Sequence, residues 1–520
     1  MNLFYIVLFG VMVITSHVQA MKRPGQDLPE QPAKKIQLNE PLVAQEQQLN
    51  LLLNLPAELR QMILSFLYSA QKGTGAHYST QQSKLFEVTK NIRNLMLVNK
   101  QYYEWLKRIE ITGQIIQALA SLYTRGSLLE AAFALGTKSA SKWIGQQFTQ
   151  NRSLQQEIMV WFFEAARYGK LDVIQFLLAA HSNLTIQLVN AQQNKMNGLM
   201  YAAQNGHASV VNQLIKAGSP LNVAIDGYMT ALFLAALGGH TDIVKLLLQA
   251  EAVVEFDNSP ITPLYVAAQH GHAQMVKWLL LAGANPNRVN LKEDNQTPLM
   301  IASRNGFFEV VELLLQHNAD PNMQDILGRT ALMIVAQTGF TNIARLLLHS
   351  GAKVYIQDTR GDTALLWAVR HNNSEIVDIL LEHFANVNIK NKEEIFPLLV
   401  AVNVGNAQLA ERLFRAGANI NQTAQGMTAL IGAAYYDKQE LLKLLISKGA
   451  DIHYQAPPQG YTALYYAILK GHLDIIKLLL NAGANPNIQT KKGTALSIAQ
   501  ASATKNKEEI IKMLQAHGAH

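Results

Sequence analysis

The sequence predicts an all-α solenoid, in which short helix pairs separated by β-turn fingers stack on one another in a row. Three observations lead to this prediction. A unit typified by residues 262–287 recurs along most of the chain, at separations of 32 to 37 residues. Each unit contains two short stretches with apolar residues at helical spacing. A helix pair of this size cannot bury its own apolar surface, so it must form one layer of a stack.

The order of residues in this unit indicates where each helix begins and ends. Thr262 can cap a helix through its hydroxyl group, and Pro263 suits the first helical position, where no N–H group is needed. Ala267 belongs to a small apolar face that lets a second helix approach closely. Gly271 favours the left-handed turn that ends the first helix. The second helix, around Trp278, is apolar on more than one side and therefore needs neighbouring layers.

The position of Thr262 sets the register of the other units. Ten further anchors align on it: Val160, Asn197, Thr230, Thr297, Thr330, Thr363, Phe396, Thr428, Thr462 and Thr494. An Ala lies five residues after each anchor except Thr330, where Val335 takes its place. A degenerate twelfth unit is expected near Gly126, with a later helix around Trp143.

The chain resembles the ankyrin repeat family in its anchor motif, in its period and in the turn sequences GANPN, NADPN, GANIN and GADIH. The resemblance covers about residues 126–520 and implies 11–12 repeats. Local departures are Phe396, which replaces the capping Thr, and Asn372 and Asp437, which replace the Gly at the end of a first helix. The last unit carries an insertion, ASATKNKEE, before its second helix. These units are expected to be less stable than the others but still folded.

Residues 1–20 are expected to form a cleaved secretory signal. The apolar run from Phe4 to Thr15 is too short to span a bilayer comfortably, and Val18-Gln19-Ala20 offers small residues for signal peptidase. No Lys or Arg precedes the run, so an uncleaved membrane anchor or a true start at Met21 stays open as an alternative. Residues 21–48 are polar and contain several prolines, which predicts a flexible linker.

Residues 49–115 are expected to form a small helical domain. The stretch LNLPAELRQMILSFL places Pro56 in the first turn of a helix, with Leu59, Ile63 and Leu67 on one face. Helical periodicity resumes in NIRNLMLVNKQYYEWL. The remainder of the chain, residues 116–520, is assigned to the repeat array.

The two stretches of this helical domain resemble the opening helix and the later helix of an F-box, over residues 53–106. The segment between them, from Tyr68 to Thr89, is longer than the usual link in that family. In the F-box family, these helices dock on the small adaptor subunit of cullin-type ubiquitin ligases. The resemblance therefore implies adaptor contacts at Leu55, Pro56, Leu59, Ile63 and Val98. The alternative is a plain helical cap on the first layer of the solenoid.

Composition and motifs give no basis for catalysis, for a metal site or for a cofactor. The absence of cysteine excludes disulfides, thiolate metal ligands and a cysteine nucleophile. The excess of 44 basic over 37 acidic residues is mild, and it is too dispersed to favour a nucleic-acid partner. No P-loop, H-E-x-x-H motif or nucleophile elbow occurs. The recurring Gly-His pairs at residues 206–207, 239–240, 271–272 and 471–472 are interpreted as inter-helix turns rather than metal ligands.

Recognition of another protein is the positive interpretation. An ankyrin stack presents a concave face made by the loop tips and by the exposed ends of the first helices. The residues expected to contact a target are Tyr228, Arg329, Arg360, Asp362 and Tyr461 at the tips, and Gln269, His270, Arg304, Asn305, Arg370, His371, Tyr435 and Tyr436 at the helix ends. Aromatic residues and Arg often anchor interfaces, which favours binding by the tyrosines on adjacent units. For any single residue, solvated surface or packing against the next layer is the alternative.

Two functional hypotheses follow from this organisation. In the first, the array holds a target protein while the F-box-like helices recruit a cullin-type ubiquitin ligase of a host cell. The combination with a secretory signal resembles secreted ankyrin effector proteins of intracellular bacteria. In the second, the chain is a secreted or periplasmic scaffold whose N-terminal helices only cap the solenoid. Neither hypothesis includes a nucleic-acid partner, or a membrane contact once the signal is cleaved.

Overall fold

The computed structural model describes residues 138–148, 152–179, 188–257, 259–504 and 506–520. Several segments assigned from the sequence lie outside the described residues: the signal (1–20), the linker (21–48), the F-box-like domain (49–115) with Leu55, Pro56, Leu59, Ile63 and Val98, and the beginning of the twelfth unit near Gly126. The helix expected around Trp143 is present as α1 (Lys138–Phe148).

Eleven helix pairs follow α1 within the described ranges, and each pair corresponds to one unit. They are α2 (Arg152–Tyr168) with α3 (Leu171–Leu178), α4 (Gly198–Gln204) with α5 (Ala208–Lys216), α6 (Ala231–Leu237) with α7 (Thr241–Gln249), α8 (Pro263–Gln269) with α9 (Ala273–Leu281), α10 (Pro298–Asn305) with α11 (Phe308–Gln316), α12 (Ala331–Thr338) with α13 (Thr341–His349), α14 (Ala364–Arg370) with α15 (Ser374–Glu382), α16 (Pro397–Val404) with α17 (Ala407–Arg415), α18 (Ala429–Tyr435) with α19 (Gln439–Ser447), α20 (Ala463–Lys470) with α21 (Leu473–Asn481), and α22 (Ala495–Ala501) with α23 (Lys507–Ala516).

Each first helix packs against its own second helix and against the first helices of the neighbouring units, and the second helices form a parallel row. The core lies between these layers. Ala267 and Ala268 are completely buried, as are Val276 and Leu279 from the second helix of the same unit. The prediction of a solenoid of stacked helix pairs is therefore confirmed. None of the helices in the described ranges has the length and apolar character needed to cross a membrane.

Side-chain caps begin most of the first helices. Thr262 Oγ1 accepts a hydrogen bond from the N–H of Tyr265 at 3.1 Å. The same bond forms at Asn197, Thr230, Thr297, Thr330, Thr363, Thr428 and Thr462. Thr494 begins α22 without this bond. The cap satisfies an N–H group that has no partner inside the helix.

The anchor at Val160 is the one position where the predicted helix start is wrong. Val160 lies in the middle of α2, which begins eight residues earlier at Arg152. Valine has no oxygen that can cap a helix, and residues 152–168 contain neither Gly nor Pro to interrupt one. The first helix of this unit is therefore longer than the others.

The departures from the repeat pattern fold as the sequence analysis expects. Phe396 occupies the capping position of α16 without a cap hydrogen bond, and its side chain is completely buried. Asn372 and Asp437 take left-handed backbone angles, with φ values of 60° and 56°, where other units have Gly. Asn and Asp tolerate this conformation better than other non-glycine residues.

The fingers are short antiparallel hairpins that precede the first helices. Two contain strands, β1 (Gln192–Gln193) paired with β2 (Met196–Asn197) and β3 (Thr423–Ala424) paired with β4 (Met427–Thr428). Others are closed by single bridges, such as Ile225 with Met229 and Asn290 with Gln296. These hairpins bring the tips of successive units to the same side of the array.

Backbone hydrogen bonds connect the tips of several neighbouring fingers. The donor and acceptor pairs are Leu291 N with Pro260 O, Ile326 N with Asp294 O, Thr359 N with Leu327 O, Lys392 N with Arg360 O, and Lys491 N with Gln459 O, at 2.8 to 3.0 Å. The finger at residues 423–428 makes no such bond among the described residues. Its Gln425 N–H donates instead to the side chain of Glu394. In the finger that follows, the donor position directly after the bridge residue Ala456 is Pro457, which has no N–H group.

Candidate binding surface

The finger tips and the exposed ends of the first helices form a continuous set of positions, which is called the finger surface below. Its shape depends on an acidic or amide side chain at the base of each central finger. Asp358 Oδ1 accepts hydrogen bonds from the N–H groups of Arg360 and Asp362 at 2.9 and 2.8 Å. Asp325 and Asn391 hold their fingers in the same way. These local bonds fix the tip before any partner is present.

An Arg–Trp cluster lies at the centre of the finger surface. It consists of Asp358, Arg360, Asp362, Trp367 and Arg370. Asp362 is completely buried, and its Oδ2 lies 2.8 Å from Arg370 Nη1 and 3.3 Å from Arg360 Nη2. Both guanidinium groups lie beside the indole ring of Trp367, at 5.2 and 5.8 Å from its centroid. The indole Nε1 donates to Asp358 Oδ2 at 3.1 Å. The buried carboxylates thus hold the two arginines in defined positions.

Two other predicted contact residues belong to the same region. His371 stacks on Trp367 with ring centroids 5.5 Å apart, and its Nδ1 lies 2.9 Å from the Trp367 carbonyl oxygen. Arg329 is paired with the buried carboxylate of Asp325 at 2.8 Å. Asp362 contributes to this surface only indirectly, because its burial prevents contact with a partner.

A tyrosine cluster lies on two adjacent units and consists of Tyr435, Tyr436, Tyr461, Tyr465 and Tyr466. The stacked pair Tyr461–Tyr465 has ring centroids 3.9 Å apart. Tyr466 meets both Tyr461 and Tyr435 edge to face, and Tyr435 meets Tyr436 in the same manner. The Lys470 ammonium group lies 4.3 Å from the centroid of the Tyr435 ring. The structure therefore brings together the three tyrosines singled out in the sequence and adds two more.

The remaining predicted contacts lie nearer the N-terminal end of the array. Lys292 Nζ donates to the Tyr228 hydroxyl group at 2.7 Å, which links two fingers that lie on either side of the finger containing Pro260. Asn305 Nδ2 donates to the backbone oxygen of Gln269 at 2.9 Å. His270 is exposed, and Arg304 is half-buried. These residues are separate from both clusters.

A family model described as "Ankyrin repeats (3 copies)" matches overlapping windows at residues 162–257, 199–290, 253–325, 299–391, 398–490 and 433–520. Together these windows cover well over half of the chain. The chain belongs to the ankyrin repeat family.

A curated relative is similar to part of this chain. The E3 ubiquitin-protein ligase XB3 of Oryza sativa subsp. japonica is 34% identical over 98 residues, which are 19% of this chain and 21% of the relative. The chain thus spans about a fifth of the length of the relative that it matches. Ankyrin repeats form scaffolds for protein–protein interaction, and the chain carries such a scaffold.

Three exposed apolar residues on the ankyrin fingers were missed by the sequence reasoning. Leu291, Ile326 and Leu327 lie at the tips of two adjacent fingers and are 63%, 54% and 44% exposed. Apolar side chains at such tips leave about half of their surface in water, so they favour contact with a partner. Their signal in the sequence is an apolar residue inside a turn, where polar residues are usual.

The Gly-His pairs of the ankyrin units lie in the turns between the two helices. The ring Nε2 atoms of His207, His240 and His472 lie 2.8 to 3.2 Å from backbone oxygens of the preceding unit. Each of the rings of His207 and His240 covers the Gly of the preceding turn. These histidines therefore connect neighbouring units, and the described residues contain no group of three or more His, Asp or Glu side chains that could hold a metal ion.

Replacing His272 by Phe is expected to reduce the loss of stability in acid. Burial, and to a smaller extent the nearby His270, lowers the pKa of His272. When the pH is lowered through the ordinary pKa of histidine, about 6.5, the imidazole of His272 takes up a proton in the unfolded chain before it does so in the folded chain. The free energy of unfolding therefore decreases as the pH is lowered. Phe307 and Phe340 fill the same position in the next two units, so a ring without a titrating group fits there.

The measurement is urea unfolding of both proteins between pH 7.5 and pH 5, followed by far-ultraviolet circular dichroism. The His272→Phe protein should lose less stability than the natural protein over that range. The same loss in both proteins would contradict the assignment.

Proposed function

We propose that this chain is an exported adaptor that holds a target protein on its finger surface and recruits a ubiquitin ligase of a host cell. The observation that carries the binding part is the pair of pre-formed clusters on that surface. The Arg–Trp cluster is held by buried carboxylates, and the tyrosine cluster is built from rings that support one another. Aromatic and Arg side chains fixed in this way lose little conformational entropy on binding.

The recruiting part of the proposal rests on residues 49–115. Leu55, Pro56, Leu59, Ile63 and Val98 are proposed to contact the adaptor subunit of a cullin-type ligase. Two observations support a separate recruiting role. Helix α1 already packs on α2 and α3 and buries Trp143 and Ile144, so the first described pair has a covering helix. The relative from Oryza sativa carries its similar segment in a protein named a ubiquitin-protein ligase.

Export is proposed from residues 1–20. A secretory signal joined to a ligase-recruiting module fits a bacterial protein that acts inside a eukaryotic host, since bacteria lack cullin-type ligases. The alternative is a periplasmic or membrane-anchored protein held by residues 4–15. Fractionation of the producing cell and of its surroundings distinguishes these locations, and a purely periplasmic protein would rule out ligase recruitment.

A pull-down of the full-length protein with the purified ligase adaptor subunit tests the recruiting part. The double variant Leu55→Asp, Leu59→Asp is expected to lose at least about tenfold in affinity, because it places charges on an apolar docking face. Gln61→Asp, which adds a charge to the polar side of the same predicted helix, should bind like the natural protein. No retention of the natural protein, or equal retention of all variants, would refute recruitment.

The same variants distinguish the recruiting hypothesis from the second hypothesis, in which residues 49–115 only cap the array. If those residues only shield the first layer, the two Asp substitutions should lower the melting temperature of the array. If they form a recruiting module, the melting of the array should change little while adaptor binding is lost. Thermal unfolding followed at 222 nm reports mainly the helices of the array.

A further inference from the structure

The row of second helices contains one gap, between α15 and α17. From α3 to α23, the backbones of these two helices stay farther apart than those of any other consecutive second helices in the described residues. A groove of about 1050 Å³ lies at the gap and is lined mainly by residues of α15, α17 and α19. Helix α17 therefore packs less closely on the preceding unit than the other second helices do.

The sequence of α17 explains the gap. In seven other second helices, from α7 to α21, the sixth residue is apolar: Leu246, Trp278, Leu313, Leu346, Ile379, Leu444 and Leu478. The sixth residue of α17 is Arg412. A guanidinium group is costly to bury between two helices without a partner. Arg412 instead forms an ion pair with Asp378 of α15, and its side chain stays 36% exposed.

Ion pairs hold α17 to the helices on both sides. Besides the pair between Arg412 and Asp378, Glu411 Oε1 lies 3.1 Å from Lys448 Nζ, directly after α19. The four side chains are 27% to 40% exposed, so dissolved salt screens both pairs. Exposed ion pairs stabilise a structure less than buried apolar contacts do. The contact between α15 and α17 is thus expected to be weaker, and more sensitive to salt, than the contact between α13 and α15.

Both ends of α17 are fastened, which limits the weak part to its middle. Asn406 caps the helix by accepting a hydrogen bond from the N–H of Leu409 at 2.9 Å. After the helix, Asn388 Nδ2 of the preceding turn donates to the carbonyl oxygen of Gly417 at 3.0 Å. The weakly held part of the helix therefore lies around Arg412.

We propose that α17 is a charge-latched helix at which the array opens locally. The middle of α17 leaves α15 and returns to it while α15 and α19 stay folded, since each unit of such an array contacts only its neighbours. The ion pair between Arg412 and Asp378 holds α17 closed, so ionic strength sets how often it opens. This behaviour belongs to the array itself and does not depend on what residues 49–115 bind.

Hydrogen–deuterium exchange of the full-length protein, measured by mass spectrometry, tests the proposal. After correction for intrinsic rates, amides of residues 410–414 should exchange at least about tenfold faster than those in the middle of α13. Raising NaCl from about 0.1 M to about 1 M shortens the screening length from about 10 Å to about 3 Å, and it should accelerate exchange in α17 more than in α13. Arg412→Leu restores the apolar row and should slow exchange in α17 by about tenfold.

Asp378→Ala and Glu382→Ala form a matched pair of variants, because each removes one carboxylate from α15. Asp378 is paired with Arg412 of α17, whereas Glu382 is paired with Arg345 of α13. Asp378→Ala should accelerate exchange in α17 by up to about fivefold and reduce its response to salt. Glu382→Ala should leave exchange in α17 unchanged.

Three outcomes would overturn the inference. They are exchange in α17 as slow as in α13, an equal response of both helices to salt, and equal effects of Asp378→Ala and Glu382→Ala on α17. The matched pair decides the question even if Arg412→Leu does not fold. The pull-down with the ligase adaptor subunit is a separate measurement, so a failure here leaves that proposal unaffected.

Discussion

Replacing Phe396 by alanine is expected to lower the free energy of unfolding by about 3–5 kcal/mol. The side chain is completely buried, and it occupies a position where most units have a capping Thr or Asn. Truncation therefore opens a cavity without restoring a cap. Because each unit contacts only its neighbours, the loss should be concentrated at α16 and α17. Urea unfolding followed by circular dichroism should then show two transitions in place of one.

Phe396→Thr decides whether burial or capping dominates at this position. A regained cap contributes about 1 kcal/mol, which is smaller than the cost of losing a buried aromatic ring. We therefore expect Phe396→Thr to be less stable than the natural protein but more stable than Phe396→Ala. Thr428→Ala, which removes only the cap bond to Ile431, should cost about 1 kcal/mol. A Phe396→Thr protein as stable as the natural one would show that the ring contributes no more than a cap.

Replacing Asp362 by alanine is expected to destabilise the central units by about 2–4 kcal/mol. Its carboxylate accepts a hydrogen bond from Asn391 Nδ2 at 2.7 Å. It also forms ion pairs with the two arginines of the Arg–Trp cluster. Removing it leaves an amide and two guanidinium groups without their acceptor, and breaking a buried pair costs more than breaking an exposed one. The expected value is reduced because Arg360 and Arg370 are partly exposed to water, which screens their charges.

The comparison for this prediction is Glu382→Ala. Glu382 lies 3.3 Å from Arg345 in a helix of the neighbouring unit, and the two side chains are 59% and 57% exposed. Removing an exposed pair should change the free energy of unfolding by no more than about 1 kcal/mol. Both variants are measured by urea unfolding at pH 7. Equal effects would mean that the burial of Asp362 does not matter, which contradicts the role assigned to it.

The period and the apolar pattern were sufficient to predict the stacked helix pairs and most helix starts. The helix starts could be predicted because a helix cap involves only neighbouring residues. The residue that precedes the helix, such as Asn197, itself accepts the capping hydrogen bond. It failed at Val160, where alignment by period placed a boundary inside a continuous helix. Register alone does not say where a helix begins when the capping residue is missing.

The candidate surface was predicted less completely than the fold. Residue type and position indicated Arg360, Arg370 and the tyrosines, and these prove to be neighbours in two clusters. The buried partners that hold the arginines in place could not be read from the sequence, because an Asp at a finger tip reads as an exposed charge. Tyr465 was overlooked for the opposite reason, since an aromatic residue on the inner face of a helix reads as core.

The missing tip-to-tip hydrogen bonds at the finger of residues 423–428 have a mechanical consequence. Four such bonds join the fingers from Pro260 to Lys392, and they stiffen the side of the array that carries the Arg–Trp cluster. The tyrosine cluster begins on the unit that follows the first missing bond, and its two units meet across the second. The helices of these units still pack on one another, and the Gln425 N–H still donates to the Glu394 side chain across the first gap. Bending the array at this finger breaks no backbone bond between tips, so we expect the spacing between the two clusters to vary more than the spacing between the central fingers.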